Sequence, residues 1–85
     1  MYGRGKDVYE EEEDGRTILF AAGRSSYFSL NAVGTAIWSL LETPTSLESL
    51  VKALSSRFAI SEDECRLEVK SFLDKLIDQG VVVMS

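Results

Sequence analysis

Eighty-five residues carry 9 Lys and Arg against 14 Asp and Glu, a formal net charge of −5, with 45% hydrophobic residues and no histidine. A chain this short is expected to fold as one domain over residues 1–85, burying only about 60–65% of the surface its unfolded form exposes. No apolar run approaches the roughly 20 residues of a membrane span, and the missing histidine removes the commonest general base and metal ligand.

The single cysteine, Cys65, has no thiol or imidazole partner for a disulfide, a zinc site or a nucleophilic pair. It falls on an apolar helix face, where a buried, inert thiol is expected. Neither metal nor cofactor is expected, and the chain reads as a binding module and not an enzyme. The opening stretch MYGRGKDVYEEEE lacks the apolar centre of a secretory signal. With the unpaired cysteine, this makes the cytoplasm the expected location and residues 1–7 a flexible lead-in.

The first third has the pattern of a β-meander. Val8 to Glu13 is the first expected strand, Asp14-Gly15 a two-residue hairpin turn, and Thr17 to Ala21 the second strand. Gly23-Arg24-Ser25 turns the chain into a third strand, Ser26 to Leu30. Alternation puts Phe28 and Leu30 on one face of it, Tyr27 and Ser29 on the other. Asn31 then caps a helix that starts at Ala32, its side chain positioned to accept from the N–H of Val33 or Gly34. Apolar residues at Val33, Ala36, Ile37, Leu40 and Leu41 carry the helical period to about Glu42, where Thr43-Pro44 stops it. Gly34 inside the first turn costs roughly 1 kcal/mol relative to Ala, and close approach of another element is the expected compensation. Trp38 lies beside the apolar face and is expected in the core, with ligand contact the alternative.

The second helix opens on a capping box of Thr45 and Glu48, with a stripe of Leu47, Leu50, Val51, Leu54 and Phe58. The third has a box of Ser61 and Glu64 and a stripe of Cys65, Val69, Phe72, Leu73, Leu76 and Ile77. Glu62 and Asp63 suit the positive end of its dipole, and Gly80 suits its C-terminal cap. Val81 to Met84 is a short β-prone tail. Ile37, Leu40, Leu54, Val69, Leu73 and Leu76 are the expected core.

Only Ala59-Ile60 and the cap Ser61 join the second and third helices. That tight connection beside strands predicts an α+β fold of the winged helix-turn-helix kind, with a three-stranded antiparallel N-terminal sheet packed on three helices. The architecture suggests DNA, and the charge argues against it. The third helix holds six acids (Glu62, Asp63, Glu64, Glu68, Asp74, Asp78) against Arg66, Lys70 and Lys75, the wrong sign for neutralising phosphates.

The sheet has two unlike edges. The first strand carries Glu10 to Asp14, an acidic guard against pairing, while the third carries neither charge nor proline. An undefended, aromatic-bearing edge suits β-augmentation, in which an extended peptide adds a strand. A covering loop or a second copy of the chain is the alternative. Steps of 100° per residue bring Glu68, Ser71, Phe72, Lys75 and Gln79 to one flank of the third helix. Such a flank either receives a partner, or Glu68 and Lys75 meet water and Phe72 is core.

The succession Tyr27-Phe28-Ser29-Leu30-Asn31-Ala32-Val33-Gly34, continued by Ile37-Trp38 and Leu40-Leu41, resembles the PqqD-like family, also called RiPP recognition elements. The likeness continues through Thr45 to Leu50, Phe58 to Ile60, Glu68 to Leu76 and Gly80-Val81. In form it is most similar to the stand-alone version of lasso peptide biosynthesis. The resemblance implies that the leader of a ribosomally made precursor peptide binds beside the third strand, at Tyr27, Phe28, Ser29 and Leu30. Its side chains would enter a groove with the third helix, at Glu68, Ser71, Phe72 and Lys75. It also implies delivery of the precursor to a leader peptidase of the cysteine-protease type and to an ATP-dependent cyclase. One position departs from the family pattern: Glu68 stands where Asp is frequent, keeping the charge but lengthening the reach. The competing functions are a winged-helix DNA-binding regulator and a scaffolding subunit that pairs through the third strand's edge.

Overall fold

The computed structural model describes residues 1–23 and 27–85. Among these the element order is β1 (Tyr2–Arg4), β2 (Val8–Glu13), β3 (Arg16–Ala21), β4 (Tyr27–Leu30), α1 (Ala32–Leu40), α2 (Leu47–Phe58), α3 (Glu62–Asp78) and β5 (Val82–Met84). The α+β, winged-helix-like architecture matches the expectation. Strands β2-β3-β4 form an antiparallel meander, and β1 pairs antiparallel with β5 in a separate two-stranded sheet. The expected positions Arg24, Ser25 and Ser26 lie outside the described residues.

The β2–β3 hairpin turns where Asp-Gly predicts. Asp14 and Gly15 both take positive φ, 53° and 78°, which matches the twist of the flanking strands. Register sets Leu19 opposite Phe28 and Thr17 opposite Leu30. One sheet face therefore carries Thr17, Leu19 and Leu30 into the core, with Phe28 packed against it. Helix α1 packs on β4 and on α2, α2 on α3, and α3 on β5. Leu50, Val51 and Leu54 of α2 meet Cys65, Val69, Leu73 and Leu76 of α3 in the centre.

Helix ends follow the capping chemistry, with one displacement. Ser61 accepts from the Glu64 N–H at 3.2 Å, as expected. At the other end of α3, Gly80 has φ 76°, and the N–H groups of Gly80 and Val81 return to the carbonyls of Ile77 and Leu76 at 3.0 and 2.9 Å. That pair of bonds is the Schellman arrangement. The cap of α2 is Ser46, which accepts from Ser49 N–H at 3.2 Å, and not Thr45. Thr45 is already committed. Its backbone exchanges two hydrogen bonds with Tyr2, at 2.8 and 2.9 Å, and its hydroxyl lies 3.0 Å from the Leu40 carbonyl and 2.8 Å from that of Thr43. Arg66 binds both carboxylate oxygens of Glu48, at 3.1 and 2.8 Å. That pairing ties α3 to α2 and holds the Glu48 carboxyl below its ordinary range.

Two expectations fail. Leu40 is 37% exposed, whereas Leu41 is fully buried. Helix α1 ends at Leu40, and its buried residues are Gly34, Ala36, Ile37 and Trp38, followed by Leu41, so the expected Ala36, Ile37 and Leu41 are inside while Leu40 gives up its place to Trp38. Trp38 is fixed there by polar partners. Arg4 stacks over its ring at 4.3 Å and donates to its carbonyl at 2.8 Å, while its indole N–H donates to Glu10 at 3.0 Å. The second failure is the lead-in. Residues 1–7 are expected to be flexible, yet Tyr2 is buried and β1 lies against β5. Three residues, Tyr2-Gly3-Arg4, are too few to show a period.

Leu73→Ala or Leu54→Ala is expected to cost about 2–5 kcal/mol. Leu40→Ala should cost under about 1 kcal/mol, as exposed positions do. Urea unfolding of the three variants checks this, and a Leu40 variant as damaged as the other two would contradict the phase of α1.

Candidate functional site

Strand β4 ends the meander, so one side of its backbone pairs with β3 and the other faces no strand among the described residues. Its side chains alternate as its pattern predicts. Tyr27 is 61% exposed, Ser29 exposed, Phe28 half-buried and Leu30 buried. Of the four, Leu30 can offer a partner only backbone, because its side chain belongs to the core. Ser29 accepts from the Arg16 guanidinium at 3.4 Å across the sheet's outer face.

At the C-terminal end of this edge the chain enters α1. Asn31 has extended backbone angles, and its side-chain oxygen accepts the Gly34 N–H at 2.8 Å. Here the expected close approach is found. A Cβ on Gly34 would lie 3.2 Å from Cζ and 3.3 Å from Cε1 of the Phe72 ring. The first turn of α1 and the flank of α3 thus enclose a hollow of about 160 Å³, lined by Asn31, Val33, Gly34, Ile37, Glu68 and Phe72.

Helix α3 supplies the other wall. Phe72 is half-buried, resting on the core while one side of its ring faces the hollow. Glu68, Ser71 and Lys75 are all exposed. Glu68 reaches the hollow's lining; Ser71 and Lys75 lie on the same flank without lining it. Among the described residues neither Glu68 nor Lys75 forms an ion pair, whereas the other two bases of α3 do: Arg66 with Glu48 and Asp63, Lys70 with Asp74. Of the expected set, Glu68 and Phe72 come together with the end of β4. Asn31, Val33, Gly34 and Ile37 belong to the same hollow and were absent from it. Gly34, the residue that breaks the apolar run of α1, was their one sequence signal.

Cys65 is fully buried one turn before Val69, with its sulfur 3.8 Å from the Val51 carbonyl. Burial, first, and the negative charge of Glu68, second, push its thiol above its ordinary value. A protonated, enclosed thiol is a poor nucleophile. Among the described residues no group of three or more His, Cys, Asp or Glu side chains is arranged to hold a metal ion. No helix among them is long and apolar enough to cross a membrane.

The sequence profile of the family described as Coenzyme PQQ synthesis protein D (PqqD) matches residues 16–82. Two solved structures superpose over nearly the whole chain. One, TbiB1 in complex with the TbiA(beta) leader peptide, is 25% identical, with a TM-score of 0.85 over 98% of this chain and 96% of that one. The other, a lasso peptide synthetase B1 complexed with the leader peptide, is 14% identical, with a TM-score of 0.84 over 98% of both chains. No curated protein sequence matches significantly.

The folded protein should resist iodoacetamide at neutral pH and react once unfolded in urea, with mass spectrometry reporting the label. Rapid native labelling of Cys65 would contradict its enclosed, protonated state.

Proposed function

Because the chain belongs to the PqqD family, we propose that it binds the leader segment of a ribosomally made precursor peptide as an added strand on β4, and catalyses nothing itself. The observation that carries the reading is the uncharged edge of β4, which pairs with no further strand among the described residues and runs into the hollow between α1 and α3. The likeness to TbiB1, whose structure holds a leader peptide, supports it. An extended peptide beside β4 takes hydrogen bonds from alternate backbone groups. Its side chains on one face are then carried toward Glu68, Ser71, Phe72 and Lys75, and one apolar anchor fits the hollow.

Backbone pairing tolerates many sequences, so discrimination rests on that anchor and on two exposed charges, Glu68 and Lys75, that form no ion pair among the described residues. Ordering a disordered peptide costs about 2–5 kcal/mol of the gross interaction. A Kd near 1 μM, roughly −8 kcal/mol, is the expected net. Direct DNA binding has less support, because Arg66 and Lys70 are engaged by carboxylates and α3 carries twice as many acids as bases. The bound precursor is then passed to a leader peptidase of the cysteine-protease type and to a lasso cyclase, in the cytoplasm.

The test is a leader peptide, taken from a short precursor encoded beside this chain, with its amides methylated one at a time. Alternate methylations should each weaken binding by about tenfold or more, and those between them far less, because only every second amide faces β4. Uniform tolerance along the peptide would defeat strand addition. Lys75→Glu and Glu68→Lys should each weaken binding up to about fivefold, as exposed ion pairs do, and leave the melting curve in place.

A further inference from the structure

The face of the sheet that turns away from the core has its own chemistry. Tyr9, Phe20 and Tyr27 stand directly opposite one another across β2, β3 and β4. Tyr9 and Tyr27 are each 61% exposed, and the rings of Phe20 and Tyr27 lie 6.0 Å apart, tilted by 39°. The next row sets Glu11 beside Ile18, and the one beyond sets Glu13 opposite Arg16. A shallow hollow of about 580 Å³ opens over Ile18, Phe20 and Tyr27, with Glu13, Asp14, Arg16 and Ser29 completing its lining. Strand addition at the edge of β4 reaches this face only at its Tyr27 margin and leaves Ile18, Phe20 and the β2 residues uncovered.

Aromatic rows on sheets stack bases or rest on lipid, and both of those partners are anionic. The charge here opposes them. Glu11, Glu13 and Asp14 outnumber Arg16, and among the described residues none of the three acids forms an ion pair. Arg16 is directed to Ser29 and stacks on no ring.

The molecule shows elsewhere what completes such a set. On its other side Arg4 lies 4.3 Å over the Trp38 ring and 3.8 Å from a Glu10 carboxylate oxygen that also accepts the Trp38 indole N–H. Guanidinium, aromatic face and carboxylate close on one another there, each satisfying the others. On the outer sheet face the rings and carboxylates are present, and among the described residues the one guanidinium there, Arg16, turns to Ser29 and leaves the rings uncovered. We infer that the outer face of β2-β3-β4 is a docking surface for a protein segment presenting arginine side chains among apolar residues, held by stacking on Phe20 and Tyr27 and by charge pairing with Glu11 and Glu13.

The test titrates the capped peptide Arg-Leu-Arg-Leu-Arg-Leu into the ¹⁵N-labelled full chain, with its glutamate counterpart as control. Binding with a Kd near or below about 1 mM should move the amides of Glu13, Ile18 and Phe20. Phe20→Thr, and separately Glu11→Lys with Glu13→Lys, should weaken it about fivefold or more, while affinity for the leader stays unchanged. Four outcomes would overturn the inference: no shifts at all, equal binding of the glutamate peptide, indifference to Phe20→Thr, or the same shifts arising from self-association without peptide. A leader titration on the same samples reports separately on the β4 edge.

Discussion

Leu30 is the last residue of β4 and Ala32 the first of α1, so the whole change of direction between strand and helix rests on Asn31. Its side chain closes the helix by accepting the Gly34 N–H, which leaves no loop to fold over the strand. The next constraint is steric. Gly34 lets the Phe72 ring approach until an added Cβ would lie 3.2 Å from it, a tight contact, and α3 thus sits close beside the end of β4. An abrupt cap and a missing methyl together produce a bare strand edge with a walled hollow at one end. Larger residues at position 34 would push α1 and α3 apart or close the hollow.

The sheet is electrostatically one-sided for a related reason. β2 shields its outer edge with Glu10 to Glu13, and any strand approaching there meets like charges. Glu10 also has a structural use, since it joins Arg4 and Trp38 and so fastens β1 and α1 to the meander. β4 has neither charge nor proline, so of the two edges it is the one without a guard against pairing. Among the described residues the α3 flank next to it keeps one acid and one base, Glu68 and Lys75, out of ion pairs. Exposed charges of this kind add little to the stability of the fold.

Much of this was legible in the residues. Asp14-Gly15, Asn31, Ser61 and Gly80 each announce a turn or cap through local backbone chemistry, and each acts as its type predicts. The unclear positions were those decided by distant contacts. The stripe of α1 contained both Leu40 and Leu41, and hydrophobicity cannot choose between them; the Arg4–Trp38 stack does. Thr45 and Ser46 are equally good caps, and pairing of Thr45 with Tyr2 decides for Ser46. β1 needs β5, eighty residues away in the chain, to exist at all. At the site, the period of α3 identified its flank, but the wall that faces it comes from α1, and only the odd placement of Gly34 hinted at that.

Amide hydrogen exchange across Tyr27 to Leu30, with and without leader peptide, addresses the added strand most directly. At a leader concentration about 100 times the Kd, alternate β4 amides facing away from β3 should slow by up to about 100-fold, with β2 unchanged. Unaltered exchange in β4, with slowing confined to Glu10 to Glu13, would contradict binding at the open edge.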